Sequence, residues 1–120
     1  MGCIFCDIVS GKSDCLKFYE DDLIIGIMDK YPFCDGHALL IPKTHYEDVF
    51  ALPREVLYHI SEVAKKFTPI FMEKLGKESM TISYNYGNKQ KVKHFHMHIL
   101  PNIDDEAHSN IDDIYKRIIG

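Results

Sequence analysis

The clearest periodic pattern in the 120-residue sequence is an apolar stripe between Pro53 and Gly76. Apolar residues recur there at spacings of three and four, which is typical of one face of an α-helix. Proline is favoured at the first helical position and glycine just after the last, so we predict a helix from Pro53 to about Gly76. Pro69 is expected to kink this helix or to remodel its last turns. The stripe consists of Val56, Leu57, Ile60, Val63, Ala64, Phe67, Ile70 and Phe71.

Shorter apolar runs between polar or turn-forming residues predict about five strands. Two lie within residues 18–29, on either side of the polar break Glu20-Asp21-Asp22. A third runs from His37 to Pro42, where the proline ends it. Residues 79–85 and 92–100 predict two more strands with a loop between them.

Both ends of the sequence predict short helices. Residues 3–9 resemble a helical turn that stops at Ser10-Gly11, and a second helix is expected over about 111–119, with Asn110 as its N-cap. The fold class is therefore α+β, with a mostly antiparallel sheet, one long helix on a face, and a short helix at each end. No repeat or linker is visible, so we predict one domain over residues 1–120, with its core at about 3–101.

The overall charge limits the classes of partner. The net charge of −4 gives no general attraction to nucleic acid or to an anionic membrane, so an anionic substrate needs a local positive site. No apolar run approaches the roughly 18 residues of a membrane span, and no secretory signal pattern opens the sequence. We therefore expect a cytoplasmic protein whose four cysteines are reduced thiols or metal ligands. Cys15 and Cys34 lack motif partners and are assigned no role.

Three histidines alternate with apolar residues in the last predicted strand. Because successive side chains of a strand point to opposite faces, His94, His96 and His98 share one face, and Phe95, Met97 and Ile99 face the core. Neighbouring imidazoles on that face lie roughly 6.5–7 Å apart, twice the rise of a strand. This spacing allows them to act on one phosphate group or to bind one metal ion.

Three interpretations of the histidine face remain open at this point: a solvated polar surface, a site in which all three histidines bind metal, and covalent catalysis. In the third, one neutral imidazole attacks and another delivers a proton to the leaving group. The preceding polar loop, residues 85–90, favours catalysis because its amides can hold phosphate oxygens, although Asn and Gly also suit a simple hairpin turn. Gln90 lies an even number of residues before each histidine, so in an extended chain it is expected to point toward the same site.

Three segments resemble the signature of the histidine triad (HIT) superfamily. They are Gln90-Lys91-Val92-Lys93-His94-Phe95-His96-Met97-His98-Ile99-Leu100, Gly36-His37-Ala38-Leu39-Leu40-Ile41-Pro42-Lys43-Thr44-His45, and the opening Cys-Ile-Phe-Cys-Asp-Ile. The similarity covers about residues 3–101 in the right order. It implies a nucleotide-binding α+β fold, usually a homodimer, that hydrolyses or transfers nucleoside monophosphates.

The resemblance also implies a role for each matching polar residue. His96, the middle histidine, is the expected nucleophile that attacks the α-phosphorus, and water or another acceptor then resolves the nucleotidyl-histidine. His98 is expected to contact the phosphate and the leaving group, and His37 to support the histidine cluster. Asn85 and Gln90 are expected to bind phosphate oxygens.

The nucleoside is expected to bind to a carboxylate and an apolar pocket. Asp29 matches the family acid that receives the ribose hydroxyls, although an exposed turn aspartate is the ordinary alternative. By resemblance alone, the base pocket consists of four residues that are otherwise interpreted as core: Phe5, Ile8, Ile27 and Leu39.

Two departures from the family pattern concern the leaving group. The loop from Asn85 to Gln90 is two residues shorter than the common family loop, and Lys91 occupies a position where Ser or Thr is common. A purine nucleoside phosphoramidate is the leading substrate class. The alternatives are a dinucleoside polyphosphate hydrolase, a nucleotide-sensing protein with little turnover, and a zinc-stabilised interaction domain.

The spacing Cys3-x-x-Cys6 is that of half a structural zinc site. Two further ligands are needed, and His45 and His94 are the candidates. Many bacterial HIT proteins carry such a Cys-Cys-His-His site at matching positions, which implies a structural zinc that leaves His96 and His98 for chemistry. Reduced cysteines packed as small apolar groups are the alternative.

Overall fold

The computed structural model describes residues 2–120 and confirms the α+β class. Within them the five strands form one sheet in the order β1-β2-β3-β5-β4, and every neighbouring pair is antiparallel. The helices are α1 (Ile4–Ser10), α2 (Arg54–Leu75) and α3 (Ile111–Ile119). The strands are β1 (Lys17–Glu20), β2 (Ile24–Met28), β3 (Ala38–Pro42), β4 (Met80–Ser83) and β5 (Met97–Pro101).

The central strands β2 and β3 are apolar throughout because both faces of the sheet are covered there. On one face, a large core packs against α2 and α3 and includes Phe95, Met97 and Ile99, as the alternation in the sequence predicts. On the opposite face, a smaller cluster lies under α1 and consists of Phe5, Ile25, Ile27, Leu39 and Ile41. The histidine side chains emerge on this second face, beside α1.

A glycine turn places His37 at the start of β3. Gly36 has a φ of +92°, and a Cβ atom there would lie 2.5 Å from a methyl carbon of Leu75 and 3.0 Å from Cγ of Pro101. A larger residue would have to adopt a disfavoured backbone conformation and also displace α2 or β5. The close packing of this turn brings the chain directly onto the sheet at His37.

The prediction of a regular strand over residues 92–100 is wrong at its first half. The strand β5 begins at Met97, because the ladders with β3 and β4 reach only as far as Met97 and His98. Before it, the chain lies outside the sheet, and the backbone N–H of Phe95 donates to the carbonyl of Tyr46 at 2.7 Å. Strand β4 likewise ends at Ser83, before Asn85.

The long helix is continuous through Pro69, and the kink expected there stays a prediction. Pro53 is its N-cap, and the helix continues through Pro69 to Leu75, where Gly76 caps it in the left-handed conformation. Pro69 is exposed, so the hydrogen bond that it cannot make would lie on the solvent side of α2. Within residues 2–120, no helix is long and apolar enough to cross a membrane.

Candidate active site and metal-ligand cluster

The sheet register brings histidines from two strands together. Leu39 pairs with His98, so His37, two residues before Leu39, shares a face with His98. The two imidazoles meet with Nε2 of His37 2.9 Å from Nδ1 of His98. The ring centroid of His96 lies 5.0 Å from that of His98. Three of the predicted histidines therefore form one contiguous cluster.

The tautomer of His96 follows from its hydrogen bond. Its Nδ1 lies 2.9 Å from the backbone carbonyl oxygen of His94, and a carbonyl can only accept. Nδ1 of His96 therefore carries the proton and donates it. In a neutral ring this leaves an unshared electron pair on Nε2, which is the arrangement that an imidazole nucleophile requires.

The tautomer of His37 is fixed by a backbone amide. The N–H of Phe33 donates to Nδ1 of His37 at 3.1 Å, so that nitrogen is unprotonated and Nε2 carries the proton. Nε2–H then donates to Nδ1 of His98, and the proton of a neutral His98 lies on its own Nε2. The cluster therefore combines an electron pair on His96 with an N–H donor on His98.

Burial keeps these imidazoles neutral. Desolvation lowers the pKa values of His37, His96 and His98, and that of His98 falls to about 4, with the neighbouring His96 and His37 contributing. The carboxylate of Asp29 opposes the effect of burial on His37 and His96. At neutral pH the cluster is uncharged, so His96 retains the electron pair on Nε2.

The lowered pKa of His98 predicts acid destabilisation. Its ordinary value is 6.5 and its folded value is about 4, so between these values the unfolded state binds a proton that the folded state does not. The free energy of unfolding is therefore not lowered by His98 above about pH 6.5, and it decreases as the pH falls from there toward 4. Urea unfolding at pH 7, 5.5 and 4.5 measures this, with His98→Gln as the comparison because acid also protonates the other buried histidines. Equal pH slopes for the two proteins would contradict the prediction.

Asp29 lies beside the histidines. Its Oδ1 accepts from the backbone N–H of Tyr31 at 2.8 Å, and its Oδ2 lies 3.3 Å from Nε2 of His37. The side chain is 19% exposed, so the carboxylate reaches the surface of the site. A ligand hydroxyl that binds Asp29 would therefore bind next to His37.

The four predicted base-pocket residues lie together on the face of the sheet that carries the histidines. Phe5, Ile27 and Leu39 are buried in the cluster under α1, and Ile8 packs against its edge. The ring of Phe5 approaches the ring of His96 edge-on, with centroids 4.9 Å apart. An apolar surface therefore adjoins His96, and the assignment of these residues to a base pocket stays a prediction.

The polar loop between β4 and β5 contains Gln90 and Asn85, whose phosphate-binding roles stay predictions. Gln90 is buried, but its side-chain nitrogen donates to the carbonyls of Glu47 at 2.7 Å and Val92 at 3.1 Å. The N–H groups expected to bind phosphate oxygens are therefore committed to the backbone, and Gln90 holds the loop in place. Asn85 and Lys91 are exposed.

A second cluster joins the N-terminal turn to the histidine segment. Nδ1 of His94 lies 3.4 Å from Sγ of Cys3 and 3.6 Å from Sγ of Cys6, and Nδ1 of His45 lies 3.2 Å from Sγ of Cys6. All four ligand atoms lie within 4.8 Å of one another. A tetrahedral zinc ion with ordinary bond lengths would separate its S and N ligands by about 3.5 Å, so the four residues fit such an ion.

The orientation of His94 supports the same cluster. Its Nε2–H donates to the backbone carbonyl of Pro42 at 2.8 Å, so the electron pair lies on Nδ1 and faces the two sulfurs. His94 and His98 belong to separate groups of candidate ligands, which does not fit a single metal site formed by all three histidines of the motif. Asp29, His37 and His98 also bring ligand atoms within 4.8 Å of one another, but Nε2 of His37 carries a proton.

The groups that the sequence did not reveal belong to the backbone. The carbonyls of Pro42 and His94 and the amide of Phe33 set the three tautomers. Every residue type has these groups, so no residue pattern identifies them.

The sequence also did not reveal the side chain of Asp35, which is 6% exposed and binds the segment before α3. An aspartate before a glycine predicted only a turn.

The structure combines an α+β domain with a cluster of neutral histidines that lies beside an apolar surface. The family model described as the HIT domain matches residues 10–105, most of the chain. The protein is therefore a member of the histidine triad family, whose characterised members act as nucleotide hydrolases and transferases.

Three known proteins illustrate the relationship. Adenosine 5'-monophosphoramidase hnt1 of Schizosaccharomyces pombe is 37% identical over 108 residues, which cover 88% of this chain and 78% of that protein. Adenylylsulfatase HINT3 of Arabidopsis thaliana is 36% identical over 101 residues, covering 82% of this chain but only 51%, about half, of the plant protein. A Zn-bound histidine triad family protein from Mycobacterium smegmatis superposes with a TM-score of 0.91 at 31% identity, covering 99% of this chain and 91% of that one.

Proposed function

We propose that the protein cleaves nucleoside monophosphate conjugates at the α-phosphate through a covalent intermediate on His96. The observation that carries the proposal is the hydrogen bond from Nδ1 of His96 to the carbonyl of His94 at 2.9 Å. It directs the electron pair to Nε2 and holds the ring against rotation. Burial, which lowers the pKa of His96, keeps that electron pair available at neutral pH.

The reaction proceeds in two displacements. Nε2 of His96 forms a bond to the α-phosphorus while the bond from phosphorus to the leaving group breaks. The leaving group takes the bonding electrons together with a proton from solvent, so a phosphoramidate releases a neutral amine. Nε2–H of His98 faces the reacting phosphate as a hydrogen-bond donor. Water then adds to phosphorus, the bond from phosphorus to Nε2 breaks, and the nucleoside monophosphate leaves with release of a proton.

The surroundings of His96 support a nucleotide as the bound half of the substrate. The apolar cluster under α1 places the ring of Phe5 against His96, and we expect a purine to bind at this apolar surface. Asp29 supplies carboxylate oxygens, which are suitable acceptors for ribose hydroxyls, at the His37 end of the site. The loop fixed by Gln90 carries exposed amide and lysine side chains, which we expect to border the phosphate.

The leaving group decides between subclasses of this function. We infer a phosphoramidate as the substrate, since the yeast relative is named a monophosphoramidase and matches 88% of this chain. The plant relative is named an adenylylsulfatase, so adenylylsulfate belongs in the comparison. A dinucleoside polyphosphate is the other candidate, because the positive charge of Lys91 favours a polyanionic leaving group.

The test is a panel of adenosine and guanosine phosphoramidates, adenylylsulfate and diadenosine polyphosphates at equal concentration. We expect kcat/KM to be highest for a phosphoramidate. Binding of AMP or GMP without turnover of any conjugate would contradict the enzyme and support a nucleotide-sensing protein. A highest kcat/KM for a diadenosine polyphosphate would contradict the phosphoramidate assignment alone.

We also propose that Cys3, Cys6, His45 and His94 hold a structural zinc ion. The four ligand atoms fit a tetrahedral ion, and the M. smegmatis relative is described as Zn-bound. With four protein ligands the ion would have no open position, so it would stabilise the fold and take no part in the reaction. It would connect α1, and with it Phe5, to the segment that carries His96.

Two expectations stay predictions: the homodimer implied by the family resemblance, and the cytoplasmic location. β4 is an edge strand of the sheet, and Ile82 on it is 40% exposed beside an apolar cleft of about 420 Å³ that includes Ala64, Pro69 and Met97. This surface is compatible with a second copy of the chain.

A further inference from the structure

The segment just before α3 returns to the turn that precedes β3. The backbone N–H groups of His108 and Ser109 both donate to Oδ1 of Asp35, at 3.0 Å each, and Nδ1 of His108 lies 3.5 Å from Oδ2. The N–H of Ala107 donates to the carbonyl of Phe33 at 3.2 Å. Asp35 is 6% exposed, so a buried carboxylate is bound by backbone groups more than 70 residues further along the chain. We call residues 107–109 the clasp.

The clasped turn is the one that sets His37. Phe33 donates its N–H to Nδ1 of His37 and accepts the N–H of Ala107 at its carbonyl, so both of its peptide groups are engaged. Its ring stacks on His37, with centroids 5.2 Å apart and an interplanar angle of 25°. The ring is nevertheless 68% exposed, so burial of the side chain contributes little to the position of Phe33. Backbone hydrogen bonds must hold it.

The turn needs support from outside because it ends in a glycine. Gly36 occupies a left-handed conformation directly before His37, and glycine loses more conformational freedom on ordering than any other residue. The clasp is itself anchored, since Asn110 caps α3 and Ile114 and Ile118 of that helix are buried in the main core. The clasp therefore connects the turn to a fixed part of the fold.

We propose that the clasp holds His37 in the tautomer that the reaction uses, with Asp35 as a positioning residue. The proposal rests on the function proposed above, because His37 acts on the substrate only through His98. If the turn loosens, the amide of Phe33 leaves Nδ1 of His37, and the ring can place its proton on that nitrogen instead. Nε2 of His37 and Nδ1 of His98 would then each carry an unshared electron pair, so no hydrogen bond could form between them. His98 would have to move its proton to Nδ1 and would lose its donor at Nε2.

Two disruptive variants and two matched controls test the clasp. Asp35→Ala removes the acceptor of two N–H groups, whereas Asp35→Asn retains a carbonyl oxygen at the same position. Ala107→Pro removes the N–H that binds Phe33, whereas Ala107→Gly retains it. Thermal unfolding and amide NMR spectra check that each variant folds, and each disruptive variant tests the proposal on its own if the other does not fold.

The decisive readout is the tautomer of His37, measured by the ¹⁵N chemical shifts of its imidazole nitrogens. We expect Nε2–H alone in the wild type and both controls, and a mixture of tautomers in Asp35→Ala and Ala107→Pro. With the best nucleotidyl conjugate, kcat should fall about ten- to a hundredfold with little change in KM, the range for partners that orient a functional imidazole. A folded disruptive variant that keeps His37 entirely as Nε2–H would overturn the proposal. Should the wild type turn over no conjugate, the proposed function fails, but the tautomer still decides the clasp.

Discussion

Replacing His96 by alanine is expected to abolish the covalent nucleotidyl-enzyme and to lower kcat by at least about a thousandfold, since removal of a nucleophile costs that much or more. The effect is large because no neighbour can substitute. Nδ1 of His98 accepts the hydrogen bond from His37, and Nε2 of His98 carries the proton. His94 has its electron pair on the side of the cysteines.

The measurement is brief exposure to a conjugate labelled in the nucleotide, acid quench and detection of label bound to protein. His59→Gln is the matched control, because His59 lies on α2, on the opposite face of the sheet, where it contacts Asp21. The control should retain both the adduct and turnover. Label bound to His96→Ala at the wild-type level would refute the assignment of the nucleophile.

Loss of the metal-ligand cluster is expected to have the largest effect on stability. The purified protein should contain about one zinc per chain, and chelation or Cys3→Ala should lower the free energy of unfolding by about 3 kcal/mol or more, a fraction of the binding energy of structural zinc. The reason is that the cluster joins three separated parts of the chain, the start of α1, the segment after β3 and the segment before β5.

Cys15→Ala is the control for the cysteine substitution. Cys15 is also partly buried and packs against the cluster under α1, but it is not one of the four clustered ligands. It should retain zinc and lose little stability. Metal-free wild-type protein that unfolds at the same denaturant concentration as the purified protein would contradict a structural zinc.

The sequence by itself determined the periodic parts of the fold. The spacing of apolar residues from Val56 to Phe71 identified α2, because a helix must present one face to the core. The alternation in residues 94–99 separated the histidines from the apolar residues correctly, since extended chain alternates its faces even where no regular ladder forms. The pair Cys3 and Cys6 and the candidates His45 and His94 were also identified, and the structure brings these four together.

The tertiary structure decided everything that depends on a partner distant in sequence. Strand β5 starts at Met97, where its ladder with β3 ends at the pair Leu40–Met97, and the apolar pattern of one segment cannot encode where such pairing stops. Gln90 was expected to point toward the histidines, but its side-chain N–H groups donate to backbone carbonyls, one of which lies 43 positions away. Pro69 remains inside α2 because its missing hydrogen bond lies on the solvent side.

The opening motif of three histidines shows the same division. Sequence alone placed them on one face and supplied imidazoles of suitable pKa, but it left a nucleophile, a metal ligand and a donor indistinguishable. The structure separates them through the groups that each ring meets: the carbonyl of Pro42 behind His94, that of His94 behind His96, and Nε2–H of His37 behind His98. Two of these three partners come from distant parts of the chain, and two are backbone carbonyls, which leave no trace in the residue pattern.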